Sequence, residues 1–291
     1  GKRGIGNESI YNQGFLFSSW LCENYGSQIL KNISHELSNP LNYSINQAMF
    51  RSTGKLGYEL YDEWKNYLIQ NYSLKIDKVL TYEQKGKILV SDNTTNIHPI
   101  WSPNNKKFAY LSNKDHDGFG QTDLFIYSFE DSTSKKIIGN VKTAPTWIND
   151  STIIYTRHSK PNKWGSKFFD LYRYTISNEK EQRLTYNSRL ISPVYNSDLN
   201  SIVAITSSDG SSNIMISEDF NVSEDSLKFR PITSFDNGIQ LLSLSWHDKQ
   251  LLVDAVFHQG RQIYKVNMNT GDLEEITSGR WENRDQHALN S

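Results

Sequence analysis

HPIWSPNNKKFAYLS, residues 98–112, decides how the rest of this chain is read. An aromatic residue, Trp101, is followed by a polar turn and then by a short strand pattern, Phe108, Ala109, Tyr110 and Leu111. The same succession returns in APTWINDSTIIYT (144–156), SPVYNSDLNSIVAITS (192–207) and SLSWHDKQLLVDAVF (243–257). The anchors Trp101, Trp147, Tyr195 and Trp246 are spaced by 46, 48 and 51 residues. A period of that size, with β-type patterning, is that of a propeller blade.

Working outward, each unit goes on to a third strand: DLFIYSF from Asp123, DLYRYTI from Asp170, NIMIS from Asn213 and QIYKVNM from Gln262. A fourth short strand ends in Leu184-Thr185, Ile232-Thr233 and Ile276-Thr277, and Leu80-Thr81 reads as the same ending before the first full repeat. Four strands per unit predict a four-stranded antiparallel blade. One such sheet has two apolar faces and covers neither alone, so blades stack, and the anchor ring is expected to fill the gap between sheets. The repeats resemble the TolB-type, WD-repeat-like propeller, whose pattern is Pro-x-Trp-Ser-Pro-Asp-Gly, an apolar strand, Leu-Tyr-x-Tyr and Leu-Thr. Residues 98–112 follow it with Asn104-Asn105 for Asp-Gly; later, Tyr195 stands for Trp and Leu244 for Pro. The expectation is a mainly β fold, a partial propeller over 76–291 with repeats starting near 98, 144, 192, 243 and 285. A fifth repeat would start at Arg284, Asp285, Gln286 and His287, which argues against a closed ring of four.

Residues 1–75 read as a helical segment. Phe17, Trp20, Leu21 and Asn24 fall at helical spacing, and Gly26 stands where a C-terminal cap belongs. Ser27 is placed to cap a second helix with the stripe Ile29, Leu30, Ile33 and Leu37, stopped at Asn39-Pro40. A third helix fits Ile45, Ala48 and Met49; a fourth fits Leu60, Tyr61, Trp64, Tyr67 and Leu68 and runs to about residue 71. The helical signals begin at residue 14. YNQGFLFSSWLCENYGSQILKNISHEL, PLNYSINQAMFRSTG and LYDEWKNYL resemble the C-terminal tail of a gluzincin-type zinc metallopeptidase domain. That resemblance rests on apolar spacing. The family's chemistry needs two His one turn apart on zinc and a Glu as general base. Here His35-Glu36 is followed by Asn39 where the second His would stand, so the segment holds no catalytic or metal-ligating residue by this reading. Zinc, if the resemblance holds, belongs to a catalytic domain upstream of Gly1. Tyr11 could border such a domain's cleft, although a packing or surface role fits it better.

Composition narrows the function classes. The net charge is −1 with 31 basic and 32 acidic residues. With no basic block, nucleic acid is not an expected partner. Nothing approaches the ~18 apolar residues of a membrane span. The single cysteine, Cys22, forms no internal disulfide and reads as a small apolar helix residue. Neither a nucleophile elbow nor a Gly-rich phosphate loop is present.

Two loops stand out. Asn113, Asp115 and Asp117, followed by Gly118, resemble the opening of a calcium loop, and Asp123 stands near its end. Leu124 occupies the place of the terminal Glu, and a plain polar hairpin explains the segment equally. RHSKPNKWGSK (157–167) is a long basic insertion carrying Arg157, Lys160, Lys163 and Trp164. Long loops on rigid scaffolds bind partners, but a loop packing Trp164 on its own blade is the plainer alternative. Asp123 and Asp170, recurring before the third strand, read as a shared turn or cap.

The expectations for function follow from resemblance. The first is the non-catalytic part of a zinc metallopeptidase, its propeller binding or filtering a protein or peptide. The second is a non-enzymatic scaffold contacting proteins or the cell envelope. The third is the propeller of a prolyl-oligopeptidase-like serine peptidase, which the helical segment argues against. Periplasm or cell surface is the compartment the resemblance implies, and the chain reads as a piece of a longer protein.

Overall fold

The structure is a computed structural model. It describes residues 6–40, 44–83, 85–91, 93–118, 120–208, 210–218, 220–221, 226–257, 260–279 and 282–284. The expected fifth repeat start, from Asp285 on, lies outside the described residues. The chain divides into two compact units, Gly1–Leu89 and Val90–Ser291.

The first unit is helical: α1 (Gly6–Tyr25), α2 (Ile29–Leu37), α3 (Ile45–Thr53) and α4 (Gly57–Leu80). Helix α1 starts well before residue 14, because a helix once nucleated propagates through any stretch without a strong breaker. It ends at Gly26, whose φ of 92° suits glycine and whose N–H donates to the Cys22 carbonyl at 3.0 Å. Gln28, not Ser27, stands at the start of α2. Trp20, Leu21, Ile29, Ile33, Ala48, Leu60 and Trp64 form the core. Leu30, Leu37, Ile45, Tyr61 and Tyr67, expected on the apolar faces, are exposed. Gly57 permits close approach of α3 to α4: a Cβ there would lie 2.5 Å from Asn46 Oδ1 and 2.8 Å from Met49 Sδ. Helix α4 runs on past residue 71 because the next breaker is Gly86. Leu80-Thr81 is therefore the end of a helix and not a blade ending, and Thr81 Oγ1 donates to the Asp77 carbonyl at 2.9 Å.

The second unit is built from four four-stranded antiparallel blades, each a meander in chain order. Blade 1 contains β1 (Asn96–Trp101), β2 (Lys107–Ser112), β3 (Asp123–Ser128) and β4 (Thr133–Ile138). Blade 2 contains β5 (Thr146–Asn149), β6 (Thr152–His158), β7 (Phe169–Thr175) and β8 (Lys180–Arg183). Blade 3 contains β9 (Leu190–Asn196), β10 (Ser201–Ser208), β11 (Ser211–Ser217) and β12 (Phe229–Pro231). Blade 4 contains β13 (Gln240–His247), β14 (Gln250–Phe257), β15 (Gly260–Val266) and β16 (Leu273–Glu275).

Strand alternation sends each blade's side chains into two different cores. On β6, Ile153 and Tyr155 enter the core shared with blade 1, and Ile154 enters the one shared with blade 3. On β10, Ile202 and Ala204 face blade 2, while Val203 and Ile205 face blade 4. From blade 2 on, each anchor packs toward the blade before it. Trp147 is 6% exposed among Ala109, Leu111 and Ile126 of blade 1, and its Nε1 donates to the Ile100 carbonyl at 3.0 Å. Tyr195 and Trp246 pack likewise on blades 2 and 3. Trp101 departs from the expected gap-filling role. It sits in blade 1, before which the described residues hold no sheet, and is 54% exposed. Its ring stacks instead on Phe129 at 5.2 Å and meets Phe108 edge-on.

The Leu-Thr endings have a hydrogen-bonding cause. Thr185, Thr233 and Thr277 each accept a backbone N–H from the third strand through Oγ1, at 2.9, 2.9 and 3.0 Å from Leu171, Ile214 and Ile263. Each donates to the side-chain oxygen one residue earlier, on Asp170, Asn213 and Gln262. The threonine thus satisfies a buried donor and acceptor at once, and the polar residue pins the connector to the next blade. In blade 1 the threonine is replaced by Gly139, which leaves room for the Asp123 carboxylate 3.3 Å from where its Cβ would stand.

Candidate functional site

The four first strands converge on one cavity of about 390 Å³. Every blade contributes to its wall: His98 and Ile100, residues 142–146, residues 192–195, and residues 242–246. All four of these strands carry a bulge, at Ile97/Ile100 in β1, at Trp147/Asn149 in β5, opposite Val203/Ile205 in β9 and at Leu241/Ser243 in β13. A bulge inserts a residue and re-aims the side chains around it. At two equivalent bulge positions, three residues before the anchor, the backbone is left-handed without glycine: His98 has φ of 55° and Ser192 of 52°. L-residues adopt that region at a cost, and such strain collects where a site needs a fixed geometry.

Hydrogen bonds across blades hold this wall. Ser192 N–H donates to Thr143 Oγ1 at 3.2 Å, and Tyr195 N–H to Thr146 Oγ1 at 3.1 Å. Ser192 Oγ reaches the Leu242 carbonyl at 3.4 Å. Ser245 Oγ and Trp246 Nε1, both on the wall, are buried without a partner among the described residues. Trp246 is the repeat equivalent of Trp147, whose indole N–H is satisfied by a neighbouring carbonyl. The wall therefore combines apolar surface (Ile100, Val194, Leu244) with hydroxyls, an imidazole and the Lys142 stem. Apolar lining with a few placed polar groups is the make-up of a ligand-binding cavity. No motif marked the site in the sequence.

The residues singled out in the two loops lie elsewhere. Asn113 is turned to the start of its own blade, accepting from Thr95 N–H at 3.0 Å and donating to Thr94 Oγ1 at 2.8 Å. Asp123 is held by His116 Nε2 at 2.8 Å, Lys136 Nζ at 2.5 Å and Asn140 N–H at 2.8 Å. Burial works against its charge, but these donors outweigh it and keep its carboxyl below the ordinary range. Asp115 and Asp117 are exposed. The four do not share a ligand sphere, and among the described residues no group of three or more His, Cys, Asp or Glu is placed to hold a metal ion.

In the basic insertion, Arg157 belongs to the blade. It pairs with Glu181 at 2.8 Å and lies over the Tyr172 ring. Residues 159–168 form a ribbon between β6 and β7, closed at the base by Ser159 N–H to the Phe168 carbonyl at 2.8 Å. Its tip turns on Asn162, whose Oδ1 accepts from Trp164 and Ser166 N–H, and on Gly165 with φ of 79°. Trp164 does not pack on the blade; it is 78% exposed.

Comparison with known proteins supports a TolB-like β-propeller fold. No family model matches the chain. A Tol-Pal system protein TolB of Ruthia magnifica subsp. Calyptogena magnifica is 31% identical over 93 residues, which are 31% of this chain and 20% of that protein. The crystal structure of TolB from Acinetobacter baumannii superimposes with a TM-score of 0.53 at 18% identity, over 67% of this chain and 46% of that one. A TolB-like protein of Agrobacterium tumefaciens gives 0.51 at 17% identity, over 65% and 67%. The chain thus spans a fifth of the curated relative and about half of the first of these structures.

Proposed function

We propose that this chain is the non-catalytic, peptide-binding part of a zinc metallopeptidase, and that the cavity at the convergence of the four blades receives or filters an extended protein segment. The observation that carries the binding role is the cavity wall itself. It has left-handed residues at His98 and Ser192 and hydrogen bonds across blades that fix its shape. Strain of this kind collects where a site needs a fixed geometry.

The peptidase assignment is supported by the apolar spacing of the helical unit and by Ile10, Tyr11 and Phe15. These are 67%, 78% and 71% exposed along α1, as a face that seats against further protein would be. Zinc would then be held by residues outside this chain, and the periplasm or cell surface would be the compartment. The complete open reading frame tests this directly: a His-Glu-x-x-His motif is expected upstream of Gly1, and a whole gene without one sinks the assignment. In the parent enzyme, Thr143→Trp should fill the cavity and raise KM for a protein substrate while kcat stays level. An unchanged KM would remove the cavity from the reading. The chain alone should bind no stoichiometric zinc.

A second reading, a non-enzymatic scaffold for proteins or the cell envelope, is favoured by the likeness of the blades to TolB propellers. A stable partner recovered with a gene product that has no zinc motif would establish it.

A further inference from the structure

The ribbon of blade 2 has no role in the cavity, yet it is built with care. Its base is hydrogen-bonded in both directions between Ser159 and Phe168, and its tip is a closed Asn162 turn. A solvated loop of ten residues does not need this, and a rigid one pays less entropy when it binds. Its exposed chemistry is one-sided. Residues 157–168 include Lys160, Lys163 and Lys167 and no Asp or Glu. Arg157, at the ribbon's root, is paired with Glu181. Lys163 lies over one face of the Trp164 ring at 4.8 Å, which leaves the other face open.

Polar groups continue inward. His158, at the ribbon's root, stacks on Phe169 at 3.9 Å, and its Nδ1 is buried without a partner among the described residues. Val141 bridges to Arg157 and the Lys142 N–H donates to the Thr156 carbonyl at 3.4 Å, so Lys142 stands beside the ribbon's root. Lys142 is itself part of the cavity wall. A track of cationic and polar groups therefore leads from the ribbon tip, through Lys167 and His158, to the cavity.

We propose that this ribbon is a docking arm for an acidic, extended peptide segment of a partner protein, with Trp164 as the apolar contact and Lys160, Lys163 and Lys167 as the charge contacts. This deepens the cavity reading and rests on it only for the inner end of the track. Two features select a peptide. A membrane surface would need a broad apolar face, and the tip offers one ring among Asn162, Lys163, Gly165 and Ser166. A track that turns into a cavity can be followed by a single extended chain and not by a flat surface.

The probe is a fluorescein-labelled peptide of three Asp-Tyr-Glu-Gly repeats, read by anisotropy against the whole chain, with a Lys-for-acid version as control. Saturable, salt-sensitive binding of the acidic peptide alone is expected, with quenching of Trp164 emission. Trp164→Ala and the triple change K160E/K163E/K167E should each weaken it by about tenfold or more. All four positions are exposed, so unchanged circular dichroism is expected and checks the fold. Failure of the acidic peptide to bind, or binding untouched by these changes, overturns the proposal. So does tighter binding to phosphatidylglycerol vesicles or heparin. Thr143→Trp separates the two readings. Loss with it but not with the ribbon variants would leave the cavity standing and refute the arm; loss with the ribbon variants alone would do the reverse.

Discussion

Trp147 and Trp101 hold the same place in successive repeats and meet opposite environments. Trp147 is enclosed by two sheets and Trp101 is open on one side. Trp147→Ala should therefore cost about 3–5 kcal/mol, as other buried aromatic truncations do. Trp101→Ala should cost clearly less, and Trp164→Ala should stay within about 0.5 kcal/mol. Urea denaturation of the three variants ranks them, and parity between Trp147 and Trp164 would invalidate the blade register. Asp123 gives a pH signature. Its carboxyl is held below the ordinary range by Lys136, Asn140 and His116 against the opposing effect of burial. A lowered folded pKa means the stabilisation is fully present above the unfolded value of about 3.9 and is lost as pH falls through the folded one. Asp123→Asn should thus be destabilised relative to the parent at pH 7, with the difference closing as the pH approaches 3. A gap that stayed constant down to pH 3 would mean that the ionised carboxylate contributes nothing.

At the scale of elements, the blade ending and the ribbon make contrasting cases. The threonine after the fourth strand of blades 2, 3 and 4 satisfies a buried N–H and binds a side-chain acceptor, as Thr185 does with Leu171 N–H and Asp170. Thr185→Val keeps the shape and removes both bonds, so a loss of about 1–3 kcal/mol is expected. Asp170 also accepts from Arg183 at 2.7 Å and from Ser188 N–H at 2.9 Å while fully buried. Asp170→Ala leaves that guanidinium without its partner and should cost roughly 3–5 kcal/mol. The ribbon is different, because its hydrogen bonds are internal. Replacing residues 160–167 by an Asn-Gly turn should shift the denaturation midpoint little, since shortening a surface loop changes closure entropy by less than about 1 kcal/mol. A large loss on that replacement would show that the ribbon supports its blade.

For the whole molecule, two separate cores imply two separable responses. Trp64 lies in the helical core and Trp147 between blades 1 and 2. Trp64→Ala should destabilise the helical signal at 222 nm, and Trp147→Ala should act on the β-sheet signal. One shared transition, moved equally by either change, would contradict this. The period of the anchors and the strand patterns in each unit already specify the four described blades and their four strands each, while the expected fifth start lies outside the described residues. They could be read from sequence because each is a local pattern repeated at fixed spacing, and repetition averages out local ambiguity. Gly26 and the buried helix positions Trp20, Ile33, Ala48 and Trp64 were legible for the same local reason. The extent of α4 was misjudged, because a two-residue resemblance at Leu80-Thr81 carries less weight than the absence of a breaker. Tertiary structure alone decided the rest. The cavity, the left-handed turns at His98 and Ser192, the exposure of Trp101 and the line from Lys167 to Lys142 all join residues on different strands or blades. Whether such residues meet depends on how sheets stack and where bulges fall, and no residue's own neighbours in the chain encode that distance.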